Sequence, residues 1–301
     1  MRRQPGSHGE AAALVADATT RTGYAGGGPG AGQGAARAAR RSRRPAAGFR
    51  LRARHAKYLL LAEIVVILGA WQLVGALNIL EEQQISSPSA VATALWRALI
   101  TQHSIYGDLW VSAKEIAIGL LLGIIVGVLV GVLMGRSRLI FQMLDPIVTF
   151  LYATPAVAFI TLLIIWFGIG TAPKVALIFS GVVFVVIVNT ETGIRTVDAT
   201  LIEMARSFRL SRFQVMRKVI LPGAVPVMLA GFRLAIGRAL IMMLVAEMYG
   251  ATAGLGYFIT NAGTSYDTTD VLMGVVILAS AAVVLTKLLR MVEARVSNWS
   301  S

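Results

Sequence analysis

The chain has 301 residues, 56% hydrophobic and only 14% charged, with a mean hydropathy of +0.72. That balance excludes an ordinary soluble domain and points to an all-α, polytopic integral membrane protein. A formal charge of +13 raises nucleic acid as a partner. Much of the excess sits in a short N-terminal segment and the rest in loops and at span ends, so an orientation signal in a lipid bilayer accounts for it and no nucleic acid is expected.

Cysteine is absent, which excludes disulfides and thiolate metal sites. His8, His55 and His103 all fall outside the apolar stretches, so no metal, cofactor or buried catalytic histidine is expected. Residues 1–55 form a basic tail rich in Ala, Gly and Arg, too poor in apolar surface to fold, and are expected to be disordered. The basic run at 37–54 reads as a topology signal or as attraction to anionic lipid.

A first span is expected at 58–77, with Glu63 near its start. An amphipathic, interfacial helix follows within 87–102, beginning at Pro88 and Ser89. A second span covers 109–135. In it Gly119, Gly123, Gly127, Gly131 and Gly135 recur every fourth residue, which lays a groove along one face for close approach of another helix. Lys114 and Glu115 lie near its outer end and are expected at the interface. A third span ends near residue 167 and should kink at Pro155. A fourth runs 175–189, a fifth 223–248 and a sixth 271–289, the last two joined by a polar, glycine-bearing linker.

Between the fourth and fifth spans lies the most polar long interior stretch, 191–222. It reads as two short amphipathic helices, 201–208 and 211–219, with a turn at Leu210 and Ser211. Lys and Arg concentrate in this loop, in the loop 136–144 and at the two ends. The positive-inside rule therefore places both termini and the 191–222 loop in the cytoplasm, with six transmembrane helices.

The fifth span holds the candidates for a translocation pathway, Arg238 and Glu247. Arg238 sits deep within it, where a charge costs about 2.5–3.5 kcal/mol on insertion scales, so it should face a partner, a cavity or a protein interior. It reads either as a positive lining for an anionic solute or as a structural contact. Glu247 falls on the opposite face at roughly 100° per residue, so the two are not expected to pair. Arg233 reads as structural.

The sequence EMARSFRLSRFQVMRKVILP at 203–222 resembles the EAA loop of ABC-importer permeases, closest to the nitrate/sulfonate/taurine type. Supporting stretches are PSAV at 88–91, LDP at 144–146, YATP at 152–155, IWFGIG at 165–170, NTETGIRTVD at 189–198, GFR at 231–233 and AEMYGATAGLGY at 246–257. The resemblance runs from Leu59 to the C-terminus. It implies a permease domain over 56–301 with its coupling loop at 191–222. It also implies a core of two permease copies, cytoplasmic ABC ATPase subunits and an extracytoplasmic solute-binding protein. By position, Glu203, Ala205, Arg206 and Ser207 carry the coupling helix, Arg209 stands at the turn and Pro222 closes the loop.

Two departures stand out. Met204 replaces the usual Ala, and Arg209 replaces the usual Gly. Either the turn is built differently, or Arg209 accepts left-handed backbone at roughly 1–2 kcal/mol. The basic residue frequent after YATP is also missing, since Ala156 and Val157 follow. The chain lacks a GxxxxGK[ST] phosphate loop, so it is not expected to be an enzyme and ATP hydrolysis would belong to a partner. Alternative readings are a permease for a neutral heterocycle or vitamin precursor, or an intramembrane lipid-modifying enzyme, for which no buried His or Cys is present.

Overall fold

The computed structural model describes residues 53–77 and 86–297; the expected disordered tail lies outside them up to residue 52. The chain divides into two units, Met1–Glu63 and Ile64–Ser301. The first is described only through the start of helix α1 (Ala53–Ala76), and the architecture below concerns the second. Every regular element among the described residues is helical.

Helix α2 (Pro88–Trp96) begins where Ser87 accepts a hydrogen bond from the Ala90 N–H and Pro88 occupies the first turn, and it runs on through a π-turn at Arg97–Thr101. Helix α3 (Tyr106–Arg136) is separated by Ser137 alone from α4 (Arg138–Ala153), which Ser137 caps by accepting from Ile140. At Thr154 and Pro155 the chain turns by 85° into α5 (Ala156–Phe167). Thr154 takes the extended backbone that a residue before proline favours, and this is the break expected at Pro155.

Gly168 and Gly170, at φ of 74° and 152°, lead into α6 (Thr171–Arg195). A short helix, α7 (Ala199–Ser207), is followed by α8 (Arg212–Gly250), then α9 (Leu255–Thr264) and α10 (Thr268–Ser297).

Among the described residues, α3, α6, α8 and α10 are long and apolar enough to cross a membrane, and the bent pair α4–α5 makes a fifth. The apolar part of α1, Leu61–Ala76, falls short of that length. Six spans were expected; four or five helices among the described residues meet the test of length and composition.

Helix α6 is the centre of the bundle, flanked by α3 and α8. Its Leu177, Ile178, Val182, Val186 and Thr190 are completely buried. The five glycines of α3 face these side chains in register. A Cβ added at Gly119, Gly123, Gly127, Gly131 or Gly135 would lie 2.5–2.8 Å from an atom of Ile178, Val182, Val186, Thr190 or Ile194 respectively. Lipid tails are as apolar as leucine, so contact between membrane helices rests on van der Waals closeness, and small residues permit it. On the other flank, Gly231 of α8 receives Asn189 of α6 in the same way. The outer face of α3 carries Leu121, Ile125 and Leu129, all exposed, as expected of a surface turned to lipid.

The second half of the polar loop is not a separate helix. Residues 212–220 continue without interruption into the fifth span, giving one helix of 39 residues. Pro222 does not break it. A π-turn at Met216–Ile220 precedes it, and the Leu221 N–H reaches back to the Met216 carbonyl. That local widening makes room for a proline ring, which in a regular turn would collide with the carbonyl four residues earlier.

Candidate functional site

The loop between α6 and α8 is built from local hydrogen bonds. Asp198 caps α7 by accepting from the Thr200 N–H at 2.8 Å. Hydrogen bonds from Thr200, the backbone N–H first and the hydroxyl second, hold the Asp198 carboxyl below its ordinary value. At the other end, the Arg209 N–H bonds to the Arg206 carbonyl at 2.8 Å and the Leu210 N–H to the Ala205 carbonyl at 3.3 Å. This is a Schellman closure, with Arg209 at the position where glycine is usual and φ of +55°. Arg209 thus adopts the left-handed backbone rather than avoiding it. Ser211 and Gln214 then form a reciprocal capping box that starts α8.

Helix α7 has two unlike faces. Ala205 is buried and Ile202 half-buried against the body of the protein, whereas Glu203, Arg206, Ser207 and Arg209 are exposed. Leu201, Met204 and Phe208, at i, i+3 and i+7, form an exposed apolar stripe, with Phe208 76% accessible. Phe213, at the start of α8, adds to the exposed apolar surface. Sequence reasoning passed over this stripe in favour of the charges between its members. Its helical spacing was a signal available before the structure.

In α8, Arg233 donates from Nη2 to both carboxylate oxygens of Glu293 at 2.9 and 2.7 Å, the structural contact expected of it. Arg238 has no carboxylate partner among the described residues. Its guanidinium lies over the ring of Tyr152, 5.2 Å from the centroid. Tyr152 belongs to the YATP stretch, so the bend at Pro155 brings that motif beside the deep arginine.

Glu247 is 1% exposed, and both of its oxygens are engaged. Ser112 Oγ donates to Oε1 at 2.7 Å, and the Gly256 N–H donates to Oε2 at 2.7 Å. Ser112 Oγ also accepts from the Leu255 N–H at 2.9 Å, and Asp108 Oδ1 accepts from the Gly254 N–H at 2.7 Å. The first N–H groups of α9, which have no partner within their own helix, are therefore satisfied by Asp108 and Ser112 of α3 and Glu247 of α8. Glycine is needed twice here. A Cβ at Gly254, whose φ is +122°, would meet Glu247 Cδ at 2.5 Å, and one at Gly256 would meet the Leu244 carbonyl oxygen at 2.6 Å.

Beside this knot, Lys174 of α6 forms an ion pair with Glu115 of α3, their side chains 5% and 1% exposed. Glu115 was expected at the interface; it is buried because Lys174 supplies the counter-charge at its own depth. Lys114, its neighbour, does stay exposed. Arg238 and Glu247 do not pair.

The family described as "Binding-protein-dependent transport system inner membrane component" matches residues 119–298. A Bacillus subtilis (strain 168) permease protein named SsuC, for aliphatic sulfonates transport, is 34% identical over 234 residues, 78% of this chain and 84% of the relative. The taurine transport system permease protein TauC of Escherichia coli (strain K12) is 32% identical over 245 residues, 80% of this chain and 89% of the relative. The nitrate import permease protein NrtB of Leptolyngbya laminosa is 28% identical over 239 residues, 77% of this chain and 84% of the relative. A structure of the MetNI methionine ABC transporter, in an inward-facing conformation, superposes with a TM-score of 0.55 at 20% identity. It covers 67% of this chain and 100% of the other, a likeness of fold alone.

Proposed function

Because the chain belongs to the binding-protein-dependent transport system inner membrane components, as an ABC permease of the nitrate/sulfonate/taurine family, we propose that it forms the translocation path of an importer for a small anion. The observation that carries this reading is α7. A short helix with one buried face and an exposed apolar stripe of Leu201, Met204 and Phe208 suits docking into a cleft on a soluble partner. Glu203, Ala205, Arg206 and Ser207 lie on that helix, Arg209 forms its turn, and Pro222 sits in the helix that follows. In this reading the partner is a cytoplasmic ATPase subunit. Six spans place both termini on the same side as the loop, and two permease copies enclose the path. A solute-binding protein delivers substrate from the other side.

The substrate class rests on the names of the relatives, which are sulfonate, taurine and nitrate permeases. Arg238, without a carboxylate partner among the described residues and set over Tyr152, supplies a positive charge where an anion would pass. Glu247 acts beside the path by holding α9 in place. Replacing Arg238 by Gln should lower uptake of the anionic substrate at least tenfold with the complex intact. Unchanged uptake would remove Arg238 from the path.

The coupling assignment is tested by Glu203→Lys in the reconstituted complex. Substrate-stimulated ATP hydrolysis should disappear while membrane insertion stays normal. Normal stimulation in that variant would sink the assignment.

A further inference from the structure

A cavity of about 480 Å³ lies where the ends of α3 and α6 meet the loop, and it is lined by Arg136, Arg195, Arg206 and Arg212 with no carboxylate among its lining residues. These arginines come from four separate elements: the last turn of α3, the last turn of α6, helix α7 and the first turn of α8. Arg195 is already engaged, at 3.2 Å from Glu191 and over the ring of Phe141. Arg136, Arg206 and Arg212 have no ion pair among the described residues. The remaining lining is largely apolar and includes Ile194 and Val215.

We propose that this cavity binds the phosphate of an anionic phospholipid headgroup. A topology signal needs only charge on the correct side, and exposed Arg217 and Lys218 supply that without lining the cavity. Guanidinium groups converging from four elements do something different, because their planar forks match phosphate oxygens two at a time. The place fits a lipid as well. Helices α3 and α6 are long and apolar enough to cross a membrane, and Arg136 and Arg195 stand in their last turns, the ends where a span of that length would meet headgroups. The apolar floor suits a glycerol backbone better than a free, fully hydrated ion. The site is also distinct from the docking stripe: at 100° per residue, Ile202 and Arg206 face roughly 150° away from Leu201, Met204 and Phe208 around α7.

The test uses the full-length permease purified with its ATPase partner in detergent, without nucleotide or substrate, so its outcome is separate from the transport reading. Native mass spectrometry would follow binding of phosphatidylglycerol, phosphatidylcholine and inorganic phosphate. Phosphatidylglycerol should bind at least tenfold more tightly than phosphatidylcholine. The Arg136→Gln/Arg212→Gln double variant should weaken it by about tenfold or more, whereas Arg217→Gln, outside the cavity, should leave it unchanged. A photoactivatable phosphatidylglycerol on the unaltered protein should label residues 194–216, a readout independent of how the variants fold. Equal binding of the two lipids, insensitivity to the double variant, or labelling elsewhere would overturn the proposal. Tight binding of inorganic phosphate with the same sensitivity to the arginines would overturn the lipid as its source.

Discussion

Gly127→Ala tests the packing of α3 against α6 most directly. The new methyl would lie 2.6 Å from Val186 Cβ, 2.7 Å from its Cγ1 and 3.0 Å from the Val183 carbonyl oxygen. Ordinary carbon contacts are about 3.5–4.0 Å, so the helices must separate by about 1 Å at this level. Neither obstacle is the far end of a flexible chain; one is a β-branched stem and the other backbone. Overpacking of this kind costs about 1–3 kcal/mol. For a domain of this size that corresponds to a fall in Tm of roughly 2–10 °C. The control is Gly237→Ala, on α8, where an added Cβ meets nothing within 4 Å. Thermal unfolding of the detergent-purified protein, followed by intrinsic fluorescence, reads both. Gly127→Ala should lower Tm and Gly237→Ala should leave it level or raise it slightly, since alanine is the better helix former. Equal shifts for the two variants would refute the claim that the glycine register holds these helices together.

Two further outcomes follow from the structure. Lys174→Met should destabilise the protein by about 3–5 kcal/mol, because it strands the buried Glu115, while Lys174→Met combined with Glu115→Leu should recover most of that loss; a double-variant cycle in thermal unfolding checks it. Arg209→Gly should remove a left-handed strain of roughly 1–2 kcal/mol and raise hydrogen-exchange protection of the Leu210 amide, while Arg209→Val should lower it. Lower protection in the glycine variant would mean that the arginine side chain, not its backbone, stabilises the turn.

Periodicity in the sequence is enough to place α3, α6, α8 and α10, because long apolar runs leave few alternatives. It also places the glycine groove, since a four-residue spacing on a helix needs no tertiary information. The kink at Pro155 follows from covalent geometry. Other features depend on residues far apart in the chain. The stretch holding helix α9 reads as a linker because it is polar and glycine-bearing; what starts the helix comes from elsewhere, as its caps are Asp108, Ser112 and Glu247. Glu115 looked interfacial because its counter-ion, Lys174, comes from another helix. The π-turn that lets the helix run on through Pro222 is invisible to a count based on 3.6 residues per turn.

The uninterrupted course of α8 has a mechanical consequence. At 1.5 Å per residue, its 39 residues make a strut of roughly 58 Å. One end is fixed by the Ser211 capping box beside α7, and Glu247 at the other grips the first turn of α9. A tilt of α8 as one body would therefore move Ser211 and Glu247 together. Its softest stretch lies near the Ser211 end, where the π-turn at Met216–Ile220 is followed by Pro222 and Pro226, whose nitrogens donate nothing to the helix ladder. Stiffening or softening that stretch would change how closely the two ends move together while leaving the contacts at either end in place.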